Sequence, residues 1–226
     1  MKDSFKFPMK KSERIFGCIC IPIHAAVLPL LLMYAYELAG LKIAGSYQTL
    51  ILYTLSFLLV LGGMFRFLRA SFSDMIDNFF RTLQAVILGY ALYYALAVII
   101  NVIIGNQANP NSQEVNNIVA QNTRVMIAVS GVLAPIVEEA IFRGALFGTI
   151  RRKSRIAAYI ISTFVFGLYH LWQFFVTGFE WSLLVYMLQY IPAGVALAWC
   201  YEHGRSIWAP ILLHAAINLM IFTQFL

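Results

Sequence analysis

The chain has 226 residues, 61% of them hydrophobic and only 12% charged, with a net charge of +6 and a mean hydropathy of +0.77. A soluble domain runs at roughly 45–50% apolar and about a quarter charged, so too few charges are present to cover a water-facing surface. Soluble enzymes, disordered chains and fibrous repeats are excluded.

What remains is an all-α, polytopic transmembrane helix bundle, since an open sheet cannot span lipid. At roughly 20 apolar residues per crossing, the length allows about seven to eight spans and no separate soluble domain. Residues 1–226 are therefore read as a single membrane-embedded domain, in an integral membrane protein. The excess of Lys and Arg sits beside apolar runs. It reads as topology and contact with anionic lipid, not as binding to nucleic acid.

In chain order, segment 1–14 is polar and basic, with Phe5, Phe7 and Met9 interleaved. It is expected either to lie on the membrane surface or to trail as a basic tail. Apolar runs follow at about 15–37, 47–68, 82–105, 125–150, 156–176, 182–201 and 207–225, each long enough to cross as a helix. The first is too long for a cleaved signal. Segment 70–81 reads as an interfacial helix. Segment 106–123, rich in Asn and Gln and containing Pro110, reads as the longest loop. Cys18, Cys20 and Cys200 are odd in number and lie in or beside apolar runs, which suits buried, reduced thiols.

Charge placement sets the expected orientation. With a cytoplasmic N-terminus, thirteen Lys and Arg fall on the inner side, and only Lys42 and Arg124 on the outer. That bias fits an N-in chain with an odd number of spans. The last basic residue, Arg143, lies within a span.

Ionisable groups inside a membrane are costly, so each is a functional candidate. The fourth run holds Glu138, Glu139 and Arg143. Glu139 and Arg143 are four apart, share a helix face and are expected to pair. Glu138 is turned about 100° away, has no partner on its own helix and is left to act as a base on water. The fifth run holds Phe166 and His170 one turn apart, and the seventh holds His214 and Asn218 on one face. At about 1.5 Å per residue, Glu138 and His170 lie roughly 20 Å from their inner ends and His214 roughly 10 Å, a mismatch that a deeper start or a tilt of the last span would accommodate. His24 is read as a hydrogen bond between helices, and Glu180, Glu202 and His203 as solvated loop residues.

Glu138-Glu139-x-x-x-Arg143, Phe166-x-x-x-His170 and His214-x-x-x-Asn218 resemble the ordered motifs EExxxR, FxxxH and HxxxN of the CPBP family. These are CAAX proteases and bacteriocin-processing enzymes, also called Abi, and include Rce1-type prenyl protein endopeptidases. The resemblance covers about residues 125–222. It implies that Glu138 and His170 hold and activate a water, that His214 and Asn218 stabilise an oxyanion, and that Glu139, Arg143 and Phe166 order the site. The family is often called metalloprotease. Glu138, His170 and His214 would be the ligands of a zinc ion, but no HExxH is present and a metal-free glutamate mechanism, which we prefer, uses the same residues.

The implied partners are membrane lipids and a peptide or lipidated-peptide substrate. The compact chain with minimal loops looks like a prokaryotic member of that family, which implies the plasma membrane of a prokaryote and, by family analogy, a peptide pheromone, a bacteriocin leader or a membrane protein tail as substrate. Nothing in the sequence sets the oligomeric state. Two other readings compete with the endopeptidase. One is a non-catalytic membrane immunity or scaffold protein of the same fold. The other is a small transporter using Glu138 and Glu139, which the lack of an internal repeat disfavours.

Overall fold

The computed structural model describes residues 8–105, 107, 109–178, 180–220 and 222. Among them every regular element is helical. Six helices are long and apolar enough to cross a membrane: Lys11–Leu38 (α1), Gly45–Asp77 (α2), Phe79–Ile104 (α3), Thr123–Arg151 (α5), Arg155–Thr177 (α6), and the span Ser182–Gly204. That last span consists of Ser182–Leu188 (α7) and Ile191–Gly204 (α8). Pro110–Gln121 (α4) and Trp208–Leu219 (α9) complete the set. The protein is a polytopic helical membrane protein.

α5 is the central helix. Every side chain from Ala134 to Ala145 is buried, as expected for a helix surrounded by others. The remaining spans keep large apolar side chains on their outer faces, among them Leu30, Met33, Phe80 and Val102, where lipid would cover them. Close approach between helices relies on small residues. A Cβ on Gly17 of α1 would lie 2.5 Å from the Cβ of Ala145 on α5, and one on Gly194 of α8 would lie 2.5 Å from Thr163 on α6. Gly63 leaves room for the Phe16 ring against the α2 backbone. The backbone departs from helical geometry at the next residue, Met64 (φ −130°, ψ 16°), and α2 kinks there.

Three sequence expectations change. Segment 70–81 is not a separate interfacial helix. α2 runs on to Asp77, breaks at Asn78, and α3 begins at Phe79. Its 33 residues extend about 50 Å, more than the bilayer core of about 30 Å, so the last turns pass beyond the apolar layer. Segment 106–123 is not simply a loop. Asn109 accepts a hydrogen bond from the Asn111 N–H, and Pro110 stands at the first helical position, so α4 starts with a cap and a pre-set φ.

The third change concerns Glu202, which is not a solvated loop residue. It lies in the last turns of α8 and takes Arg151 (2.5 Å), Arg155 (2.8 Å) and the Tyr159 hydroxyl (2.9 Å), tying the α5–α6 turn to α8. Glu180 and His203 are exposed as expected, although His203 also lies on α8, where it stacks on Trp199. Of the basic segment 1–14, residues 1–7 lie outside the described residues. From Lys11 on it is the first turn of α1, held by a buried Glu13 that takes Arg66 (2.6 Å) and the Phe67 N–H (3.0 Å). The three cysteines are unpaired, with Cys20 and Cys200 buried and Cys18 half-buried.

Candidate active site

Glu138 and Glu139 occupy a short α-helical stretch, Ala134–Glu139, between two wider π-helical turns at Val129–Leu133 and Ala140–Phe147. Such turns re-aim side chains within a continuous helix and are frequent at functional sites.

The two carboxylates diverge as the helical offset predicts. Glu139 Oε1 accepts Arg143 Nη1 at 2.9 Å and His214 Nδ1 at 2.8 Å. All three side chains are buried, Glu139 and Arg143 completely. The Arg143 guanidinium also lies 4.2 Å from the centre of the Phe166 ring, and that ring meets His170 edge-on at 4.7 Å. The three motifs thus interlock, with Arg143 and Phe166 packing the residues behind the site.

Glu138 turns the other way. Its Oε1 accepts the Tyr53 hydroxyl at 2.6 Å. Its Oε2 lies 3.9 Å from His170 Nε2 and 3.8 Å from His214 Nε2, and among the described residues no donor reaches it within hydrogen-bond distance. Because Glu139 accepts the Nδ1–H of His214, that ring's Nε2 is the atom left to face Glu138. Asn218 gives one amide hydrogen to the Ser130 carbonyl at 3.1 Å. Glu138, Phe166, His170, His214 and Asn218 all line one cavity of about 460 Å³. The depth mismatch of His214 disappears because α9 starts recessed: the Trp208 indole N–H reaches the Leu68 carbonyl (3.1 Å), and buried Ser206 reaches the Ser71 carbonyl (2.6 Å).

A zinc ion bound at about 2.0–2.1 Å by Glu138, His170 and His214 would draw their donor atoms to about 3.3 Å apart. The observed separations are wider, 3.8 and 3.9 Å. Among the described residues no group of three His, Cys, Asp or Glu side chains converges as a metal-binding set. The residues as placed do not fit a bound metal ion.

Several contributors escape a reading of the sequence. The Tyr53 oxygen lies 3.0 Å from the Tyr169 hydroxyl, which lies 2.8 Å from His24 Nε2, and His24 Nδ1 lies 2.7 Å from the Ser56 hydroxyl. With Tyr53 donating to Glu138, the chain has one consistent sense: Tyr169 donates to Tyr53, the His24 Nε2–H donates to Tyr169, and Ser56 donates to His24 Nδ1. His24 is the interhelical hydrogen bond that the sequence suggested, and it reaches the site through two tyrosines. Tyr190 stacks on His170 at 4.8 Å and accepts the Asn111 side chain at 3.1 Å. Nothing separates Tyr53, Tyr169 and Tyr190 in the sequence from the other nine tyrosines of an apolar chain.

Residues 120–220 match the family model described as type II CAAX prenyl endopeptidase Rce1-like. That segment is a little under half of the chain, and through it the chain is similar to the CPBP family. Among its relatives is YdiL of Bacillus subtilis (strain 168), 31% identical over 119 residues, which are 52% of this chain and 43% of YdiL. The UPF0177 protein YaiF of Lactococcus lactis (strain IL1403) is 35% identical over 42% of this chain and 38% of its own length. The membrane-embedded CAAX protease MroQ of Staphylococcus aureus (strain USA300) is 24% identical over 58% of this chain and 53% of its own. The chain spans about half the length of these relatives, or less. No solved structure matches.

Proposed function

We propose that this chain is an intramembrane endopeptidase that hydrolyses a peptide bond of a membrane-associated peptide or protein tail without a metal ion. The observation that carries the reading is the placement of two imidazole nitrogens within 4 Å of one carboxylate oxygen, in a cavity that Asn218 also lines. A single water suits gaps of that size.

In the reaction, water held between Glu138 and His170 attacks the carbonyl carbon, and Glu138 takes its proton. The oxyanion so formed is met by the second amide hydrogen of Asn218 and by His214 Nε2. Donation from that nitrogen requires the ring to carry both protons. Glu139 and the oxyanion are then the two negative charges and Arg143 and His214 the two positive ones, which cancel in a buried site. Glu138 passes its proton to the leaving nitrogen, the C–N bond breaks, and a carboxylic acid and an amine are released, the acid's proton then passing to the amine in water. The protein wall keeps bulk water from screening these charges.

The matching family model and the name of MroQ support a membrane protease and leave the substrate open. The test is to reconstitute the full chain in liposomes with two quenched-fluorescence peptides, one carrying a farnesylated cysteine near its end and one an unlipidated hydrophobic leader. Cleavage of at least one is expected, and Glu138→Ala and His170→Ala should abolish it. Undiminished cleavage by Glu138→Ala would sink the proposal.

A further inference from the structure

The cavity has a direction. Its floor lies at mid-helix, at Glu138 on α5 and Phe166 on α6, while Ser130, His170, Gln189 and Asn218 each lie nearer the same end of their helix or span. At that end α4 spans the opening with Asn109, Asn111, Ser112 and Asn116. It is held there by Asn109 donating to the Gln189 side chain (2.8 Å) and Asn111 to the Tyr190 hydroxyl (3.1 Å). Below the floor the bundle is closed by buried Phe142, Arg143 and Phe147.

Charge marks the two ends of the bundle. Of the Lys and Arg among the described residues, eleven lie at the closed end, one (Arg143) in the core, and only Lys42 and Arg124 at the α4 end. Basic ends face the cytoplasm. We infer that the cavity opens to the opposite, outer face of the membrane, and that the polypeptide it admits is an uncharged, extended stretch presented from that face. The part concerning the polypeptide rests on the peptidase reading.

The rim chemistry supports that class of substrate. Asn109, Asn111, Asn116, Gln189 and Ser112 offer amides and a hydroxyl, the groups that pair with a peptide backbone. Among the described lining residues there is no Lys or Arg to receive a terminal carboxylate. A cut within a chain therefore fits this rim better than trimming from a free carboxy terminus.

Orientation is tested with two isosteric changes, Ser112→Cys at the mouth and Ser73→Cys near the basic end of α2. Both positions are exposed. A membrane-impermeant maleimide is added to right-side-out vesicles, with the native chain as the blank for Cys18, Cys20 and Cys200. Ser112→Cys should label in sealed vesicles and Ser73→Cys only after they are opened. The reverse pattern overturns the inference.

The substrate class is tested in the same vesicles. One fluorogenic peptide has uncharged residues and both ends blocked, and its twin has a free carboxylate beside the reporter bond. Faster cleavage of the blocked peptide is expected, and preference for the free carboxylate contradicts the rim assignment. If the labelling holds while native protein and Glu138→Gln release equal background signal from both peptides, the peptidase reading falls and the outward mouth stands.

Discussion

Tyr53 gives Glu138 its hydrogen bond from outside the three motifs. A hydrogen bond to a charged group contributes about 1.5–3 kcal/mol, so Tyr53→Phe should lower kcat roughly 10- to 100-fold with KM nearly unchanged, because Tyr53 touches the proposed base and not the peptide. An unchanged kcat in steady-state cleavage would remove Tyr53 from the machinery. Arg143 answers to a different measurement. Replacing it with Met leaves Glu139 buried beside His214 without its cation, a loss of about 3–5 kcal/mol for a broken buried pair. Thermal unfolding in detergent should show a large fall in Tm, smaller in the double change Glu139→Gln, Arg143→Met. The Glu139–Arg143 pair was legible because i,i+4 spacing on a helix fixes who meets whom. Tyr53 and Tyr169 were not legible, because their partners come from another helix and a tyrosine in a lipid-facing run looks the same as one aimed inward.

At the scale of elements, hydropathy located the spans and missed what polar residues do between them. The 106–123 stretch looked like a loop because Asn and Gln dominate it. Yet the Asn109-Pro110 pair is a helix start, and Val119 is buried along its inner face. Glu202 looked solvated because it follows an apolar run, whereas three partners from α5 and α6 claim it. Distance along the chain hides such ties: Glu202 and Arg151 are 51 residues apart. Close packing of α1 on α5 has its own test. Gly17→Val would push a side chain into the Ala145 Cβ, a rigid neighbour with no flexible end to swing aside. Overpacking of this kind costs about 1–3 kcal/mol, and the variant should unfold earlier in a thermal scan while Gly62→Ala, which meets open space, should not.

For the whole molecule, the scarcity of charge seen at the outset is what makes the site readable. A bundle that keeps Glu138, Glu139 and Arg143 at its centre, on its most buried helix, holds them through contacts with four other helices: α2 through Tyr53, α6 through His170 and Phe166, α8 through the Gly194 carbonyl facing Arg143 (3.5 Å), and α9 through His214. The donor spacing does not match a metal triad, so cleavage by protein dialysed against EDTA should equal that of untreated protein, and a loss restored by added zinc would assign Glu138, His170 and His214 to a metal instead. The central claim, that Glu138 is the base of a peptide hydrolysis, is tested most directly by Glu138→Gln, which keeps the shape and the acceptor for Tyr53 but cannot take a proton. Liposome-reconstituted Glu138→Gln should unfold at the native Tm and give no peptide cleavage above background. Native-like cleavage by that folded variant would contradict the account.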